Sequence, residues 1–587
     1  MNTLTYCNLN ASKLVVFCLS LVIFTGCGNV LNDVENLSSY PATGTFDDAA
    51  TTNAYLSNLY YSTLNGWPVN SGNNADESGG INGEGWITTE NTAMKFWPYD
   101  AIRKINILLK ELPNSPIPAD KKDPIIGQAK FLRAFLYFKM VYYHGGVPII
   151  EVPQEVTDDL LVKRNSTAEC FDFILKELDE AAALLPPKYD GADRGRIDQA
   201  STYAFKGRVL LYKASPQFNS ANPYDNAYWS DAYNANKAAK DFLDQHGYGL
   251  LDDYTQVFET EGHRENILSV IFEEPAKTNG RQEHAVRPLS ESKNATGGDQ
   301  PIWAFAEAFP MKDGKKPGDP TSEYTYSIQR FWENRDPRFD AIMVWNGATY
   351  ELSGIAGRRQ YTMNVIAKSM DVFGFSIQGE TAYRTGLFTR KGIQEALPSA
   401  QAELNDVDWP EIRYAEVLFN YAEAANETGR SDESLEVLKA IRRRAGITEG
   451  ADGLFGLKAN MSRAEMRQAI LDEKRIEFAF EGQRFWDLRR HRMLHLLDGM
   501  HKYGIMATAV NGRTPQNLTA DDIAKGNAFE LLPEDFTYEV VELITNGPKE
   551  MVMPESYYFF PIQLTHINQN SNLEQNVGWG GNFNPEL

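Results

Sequence analysis

The sequence predicts a mostly α-helical fold in which helix pairs pack against an irregular, loop-rich part with short β-strands. Two observations predict it. Long segments repeat apolar residues at helical spacing before about residue 265 and again after about residue 410. Between them, Glu265 to Gly392 alternates short β-rich pieces such as ILSVIF with Gly, Pro and charged loops. A third observation concerns what holds the fold. Hydrophobic residues make up 42% of the 587 and there are only four cysteines, so a packed core must do the work of a disulfide framework.

The chain opens with Lys13 ahead of the apolar run Leu14 to Phe24 and the small residues Thr25 and Gly26. The run is shorter than an ordinary membrane-spanning helix, and residues 1–26 read as a signal peptide. The junction FTGC resembles the bacterial lipoprotein signal, with Phe24 where an aliphatic residue is commoner. Cys27 is therefore the expected lipid anchor, holding the protein to a membrane through acyl chains alone. Residues 27–45 are the tether, and 46–587 the folded part, with an N-terminal portion of about 46–264 and a C-terminal portion of about 265–587. Once the leader is removed, Cys27 and Cys170 are the two thiols left, and nothing signals their pairing.

Helices are expected at Asp47–Leu64, Lys95–Pro113, Ile125–Ile150, Ala168–Leu185, Asp198–Ala214 and Trp229–Gln245. The third stops at Gly145–Gly146, followed by Pro148. In the C-terminal portion Pro410 suits the first position of a helix ending at Gly429, and Ser431 suits the cap of the next, ending at Gly446. A third long helix covers Arg463–Phe480. Helix pairs of this length are tetratricopeptide-like, although no tandem period is visible. Such pairs stack into a curved scaffold that presents loops for binding.

The formal charge of −22 argues against nucleic acid, which needs concentrated Lys and Arg. It also argues against a broad basic membrane-binding face. No phosphate-binding glycine motif, nucleophile elbow or zinc-cysteine cluster is present, and no cofactor or metal is expected.

Six stretches in order resemble the SusD/RagB family of Bacteroidetes outer-membrane lipoproteins: QAKFLRAFLYFKMVYYHGGVPII from Gln128, YAFKGRVLLYKA from Tyr203, NRDPRF from Asn334, IRYAEVLFNYAEAANETG from Ile412, ILDEKRIEFAFEGQRFWDLRR from Ile470, and YFFPIQLTHINQNSNLEQNVGW from Tyr558. The resemblance implies one mostly α fold with four tetratricopeptide-like helix pairs. It implies a non-enzymatic, surface-exposed lipoprotein of the outer membrane that captures an oligo- or polysaccharide. It implies a partner, a SusC-like TonB-dependent β-barrel transporter on which the protein sits as a lid. Peptide or glycoprotein capture on the same fold is the alternative, and a glycoside hydrolase the rival from another class.

Candidate residues follow from chemistry. Glu473, Glu477 and Glu481 recur at helical spacing with Arg475, Arg484, Arg489 and Arg490 nearby. They form either a carboxylate pair for glycoside hydrolysis or a salt-bridged network, and the arginines favour the network. Glu416, Asn420, Glu423 and Glu427 mark a solvated or hydrogen-bonded helix face. His491 and His495 share a face, but Arg492 stands where a metalloprotease has Glu. The loop NGWPVNSGNNADESGGINGEGW, Asn65 to Trp86, places Asn74, Asp76 and Ser78 like the start of a calcium loop, yet its twelfth position is Gly85. Trp67 and Trp86 in this loop are either sugar-stacking platforms or pins that fold back on the helices. The ligand-binding candidates are Trp67, Trp86, Asn73, Asp76, Asn82 and Glu84, with Arg281 and Arg287 (and Asn294) from the loop Lys277–Pro301.

Overall fold

The structure is a computed structural model that describes residues 42–64, 66–68, 70–90, 94–279, 286–291, 298–363, 371, 384–510, 531–543, 545 and 547–587. The leader, Cys27 and most of the tether lie outside the described residues, as do Arg281 and Asn294.

The long helices described in the N-terminal portion are α1 (Ala49–Thr63), α2 (Tyr99–Glu111), α3 (Ala119–His144), α4 (Thr167–Leu184), α5 (Gln199–Ala214) and α6 (Tyr228–Gln245). Local chemistry sets their ends. The Asp48 side chain accepts from Thr51 N at the start of α1, and Ser166 and Asp198 form capping boxes for α4 and α5. At the end of α3, Gly145 has φ 80° and lies against Pro585, where a Cβ would sit 2.5 Å from the proline ring. Cys170 is buried within α4, its thiol beside Val147.

The C-terminal portion adds the short helices α7 (Trp303–Ala308) and α8 (Arg338–Ile342), then α9 (Tyr414–Glu427), α10 (Ser431–Arg444), α11 (Arg463–Glu477), α12 (Arg484–Arg490) and α13 (Leu564–Gln569). Helices α3, α4, α5, α6, α9 and α10 form a continuous stack in which each packs on the next, except that α9 carries both α10 and α11. Helices α1 and α2 pack on α3.

Among the described residues the strands form two-stranded sheets. Strand β1 (Asn266–Val270) pairs antiparallel with β4 (Trp409–Arg413), β2 (Met343–Val344) with β3 (Phe388–Thr389), and β5 (Tyr503–Ala509) with β6 (Phe536–Glu542). Two expectations are corrected here. Pro410 does not open a helix: it lies in β4 opposite Ser269, and α9 starts four residues later at Tyr414. Ser431 is the first residue of α10 rather than its cap, and its hydroxyl turns to Asn426 Oδ1.

Two large apolar clusters dominate the core of the described residues, with a small third one at Ala445, Ile447 and Phe455. The larger joins the helix stack to the C-terminal strap around Tyr557–Phe560; the smaller gathers around Trp303, Phe331, Phe339 and Tyr538. No helix among the described residues is long and apolar enough to cross a membrane.

Candidate functional site

The loop between α1 and α2 is organised from inside. Lys502 is fully buried, and its ammonium donates to Ala75 O at 2.8 Å, Ser78 O at 2.7 Å, Gly80 O at 2.5 Å and Asn73 O at 3.2 Å. The calcium-like alternation therefore wraps a lysine. Asn73 Oδ1 accepts from Ser78 Oγ and Gly80 N, and a Cβ on Gly80 would strike Asn73 at 2.3 Å. Asp76 receives Arg484 Nε at 2.9 Å and Arg475 at 3.2 Å. Those guanidinia overcome burial and hold its carboxyl well below the usual carboxylate range. The side chain of Asn82 donates to Asn74, while Glu84 is exposed.

The two tryptophans differ. Trp67 is 6% exposed, donates its indole N–H to Val407 O at 3.1 Å, and packs on Phe258 and Trp409 with centroids 5.3 and 4.9 Å away. Trp86 is half-buried, edge-on to Phe485 and Tyr557. Arg287 is buried, with its guanidinium on the Leu397 and Gln394 carbonyls, so this conformation leaves it no surface for a ligand. The structure does not bring Asp76, Trp86 and Arg287 to one open face. It gives Asp76 and Arg287 intramolecular partners, because a loop this poor in apolar residues is held by buried polar contacts.

What the structure does assemble is a cleft of about 470 Å³ where the helix stack meets β4, α12 and the loop residues Gly66–Pro68. Residues Phe135, Phe138, Lys139 and Tyr142 of α3 line it, at positions i, i+3, i+4 and i+7, which share one helix face. Helix α5 adds Arg208 and Tyr212, β4 adds Trp409 and Glu411, α9 adds Glu416 and Asn420, and the start of α12 adds Gln483 and Trp486. Trp67 is among the lining residues.

The aromatic wall is continuous. Tyr142 meets Trp486 at 4.8 Å, Phe138 at 5.1 Å and Tyr212 at 5.6 Å. Burial raises the Tyr142 hydroxyl well above its ordinary pKa, so it remains a hydrogen-bond donor. Polar groups stand among the rings. Arg208 forks onto Glu416 at 2.6 and 2.7 Å and reaches Glu411 at 3.3 Å, and Trp409 Nε1 donates to Glu411 at 3.1 Å. Half-buried Gln483 carries an amide that no described protein group engages. Apolar ring faces ringed by fixed donors and acceptors match a sugar, which has C–H faces edged by hydroxyls.

The acidic segment is a network. Glu477 receives Arg413 at 2.7 Å and Arg338 at 3.1 Å, and also pairs with Arg444; Glu473 pairs with Arg338 at 2.5 Å and Arg442 at 2.7 Å. Burial works against the Glu477 charge, but Arg444, Arg413 and Arg338 overcome it and hold the carboxyl well below its ordinary pKa. A glycosidase acid needs the opposite shift. The face Glu416, Asn420, Glu423 and Glu427 is buried rather than solvated, with Arg208, Arg490 and Arg467 as partners of its carboxylates. His491 is buried against Glu423 while His495 is exposed, so the two do not converge, and no metal-holding cluster occurs among the described residues.

Sequence reading missed the α3 face. The available clue was a lysine, Lys139, interrupting an aromatic stripe.

Comparison with known proteins follows the same lines. The profile of the SusD family matches residues 264–579, and that described as "Starch-binding associating with outer membrane" matches 24–211. The chain is 25% identical over 411 residues to a SusD-like protein, P38, of Formosa agariphila, covering 67% of this chain and 70% of that one. It is 22% identical to the starch-binding protein SusD of Bacteroides thetaiotaomicron, covering 77% and 72%. A SusD-like carbohydrate binding protein of Bacteroides fragilis superposes with a TM-score of 0.70 at 23% identity, covering 90% of this chain and 99% of the other.

Proposed function

As this chain belongs to the SusD family, we propose that it is a glycan-binding lipoprotein of the outer membrane that captures an oligo- or polysaccharide without cleaving it. It passes the glycan to a SusC-like TonB-dependent transporter. Cys27 carries the lipid, residues 27–45 tether the fold, and residues 46–587 act as one binding unit.

The observation that carries this reading is the aromatic cleft. Its wall of Tyr142, Tyr212, Trp409 and Trp486 has hydrogen-bonding groups at the rim, and its volume of about 470 Å³ suits a short stretch of sugar. The carbohydrate names of two relatives and the outer-membrane description of the second profile support it. Binding without catalysis is supported by the acidic helix residues, which are tied to arginines.

The test is migration of the purified protein through gels containing candidate glycans, with a reducing-end assay alongside. Retardation without new reducing ends is expected. Trp486→Ala and Gln483→Ala are each expected to weaken binding about tenfold or more, the loss typical of a buried aromatic anchor. New reducing ends would overturn the non-catalytic reading, and unchanged affinity in both variants would remove the cleft. Acyl label on the wild type and none on Cys27→Ala is expected for the anchor.

A further inference from the structure

The charged groups that line the cleft are ion-paired, with one exception. Arg208 is engaged by Glu416 and Glu411. Lys474 pairs with Asp487 at 3.0 Å, and Arg490 with Asp487 at 2.8 Å and with Glu423. Glu481 is held by Lys391 at 2.6 Å and Arg413 at 2.8 Å. Lys139 has no carboxylate partner and no hydrogen bond among the described residues. Its ammonium lies 4.5 Å over the Phe96 ring.

This is an expensive arrangement. A half-buried ammonium loses hydration, and one aromatic face returns about 0.5–2 kcal/mol. Burial pulls the Lys139 pKa down, with Glu411 alone working against it. The chain has 79 acidic residues against 57 basic ones, so carboxylates to neutralise a lysine are not scarce. Lys139 nevertheless stands on the same helix face as Phe135, Phe138 and Tyr142, within the aromatic wall.

We infer that the cleft selects an anionic saccharide, one whose ring bears a carboxylate or a sulfate ester, and that Lys139 receives that group while Trp486 and Tyr142 take the sugar face. The inference rests on the glycan-binding reading and names the substrate class. An anion bound there would complete the missing pair and be released when Lys139 loses its charge, so affinity falls as pH rises through the lowered lysine pKa. The overall charge of −22 repels such a ligand at long range, but contact with one cation in a recess is screened far less than the surrounding surface charge.

Titration calorimetry of the full mature protein with defined hexasaccharides tests this. One arm uses oligogalacturonate, one a sulfated galactan, and one neutral malto- and laminari-hexaose. At least one anionic arm is expected to bind about tenfold or more tighter than the neutral arm at low salt, and to lose most of that advantage by about 0.5 M NaCl. Lys139→Gln is expected to abolish the advantage, and Lys139→Arg to keep it. The two anionic arms distinguish carboxylate from sulfate. Neutral hexasaccharides binding as tightly as anionic ones, with Lys139→Gln silent in all arms, would overturn the inference and leave glycan capture standing. If the wild type bound no saccharide in any arm, the glycan reading and this inference would both fall. A loss of neutral and anionic binding alike in Lys139→Gln, with Lys139→Arg also inactive, would make Lys139 a structural residue and likewise overturn the inference.

Discussion

At the scale of single residues, the loop from Asn65 to Trp86 shows what composition conceals. Asn, Gly, Ser and acidic residues usually mark a solvated surface, yet Ser78, Gly79, Gly80 and Glu77 are buried. The reason is Lys502, more than four hundred residues away in the chain, whose ammonium collects four of the loop's carbonyls. Sequence spacing showed the alternation of a cation-wrapping loop; it could not show that the cation comes from a distant side chain. The same distance hid the partners of Trp67, which are Val407, Trp409 and Phe258. One consequence is measurable. Burial, with the neighbouring Asp76 charge, pushes the Glu77 carboxyl up to about 8. The folded state thus holds a proton that the unfolded chain releases above its ordinary value of 4.5. Stability from this group is full below 4.5 and lost as pH rises toward 8. Lys502, drawn down by burial to about 7, acts in the opposite sense and only above that pH. Glu77→Gln is therefore expected to flatten the pH dependence of denaturant unfolding between about pH 5 and 7, removing a loss of about 3 kcal/mol. An unchanged slope would show that Glu77 is ionised in the fold.

At the scale of elements, helix positions were legible because each long helix must bury an apolar stripe, and that periodicity is local information. Starts were legible to within a residue where a capping box is complete, at α4, α5 and α11, and ends where a glycine stops the helix, as at Gly145. Ser462 and Ser431 make the contrast. Ser462 is followed three residues later by Glu465, and the structure has the full capping box: Ser462 Oγ accepts from Glu465 N at 3.3 Å and Glu465 returns to Ser462 N at 2.9 Å. Ser431 is followed at the same spacing by Ser434, whose hydroxyl donates to Ala422 O within α9 instead. Arg430 takes the cap position. Pro410 failed for a related reason: its fixed φ suits a first helical turn or a strand equally, and pairing with β1 decided between them. Ser462→Ala is expected to cost about 1 kcal/mol of stability, while Ser431→Ala stays within about 0.5 kcal/mol, measured by paired chemical melts. Equal losses would mean that hydroxyl contacts in general, rather than the reciprocal box, set the helix starts.

At the scale of the whole molecule, α11 decides how the two apolar cores join. Met466 and Ile470 face the larger cluster, while Ile476, with Ala479 and Phe480 just beyond the helix, belongs to the smaller one. Glu473 and Glu477 sit in the seam between them. Their four arginine partners come from three places: Arg338 in the NRDPRF stretch, Arg413 in β4, and Arg442 and Arg444 at the end of α10. The spacing of the acids was visible in the sequence, and so was their preference for arginine. Which arginines they meet was not, because three-dimensional closure brings Arg338 and Arg413 to the helix. Glu477 is thus a central link between portions that are remote in the chain, and its loss leaves three guanidinia buried with too little negative charge. Removing one partner of a buried ion pair costs about 3–5 kcal/mol, so Glu477→Gln is expected to lower stability by that order at neutral pH. Because the folded pKa of Glu477 is depressed below 4.5, its contribution is present above that value and is lost as pH falls through the lowered pKa. The wild type should therefore lose stability steeply below about pH 4 and the variant less steeply, so that the two denaturation curves converge in acid. Guanidinium melts of both proteins from about pH 3 to 7 measure this. A variant as stable as the wild type at neutral pH would sink the idea that this seam welds the two cores together. The same variant, assayed for glycan cleavage and binding, is expected to bind as the wild type does wherever it remains folded. Glu477 does not line the cleft, and its role lies in holding α8, α10 and β4 against α11, which fixes the register of the wall.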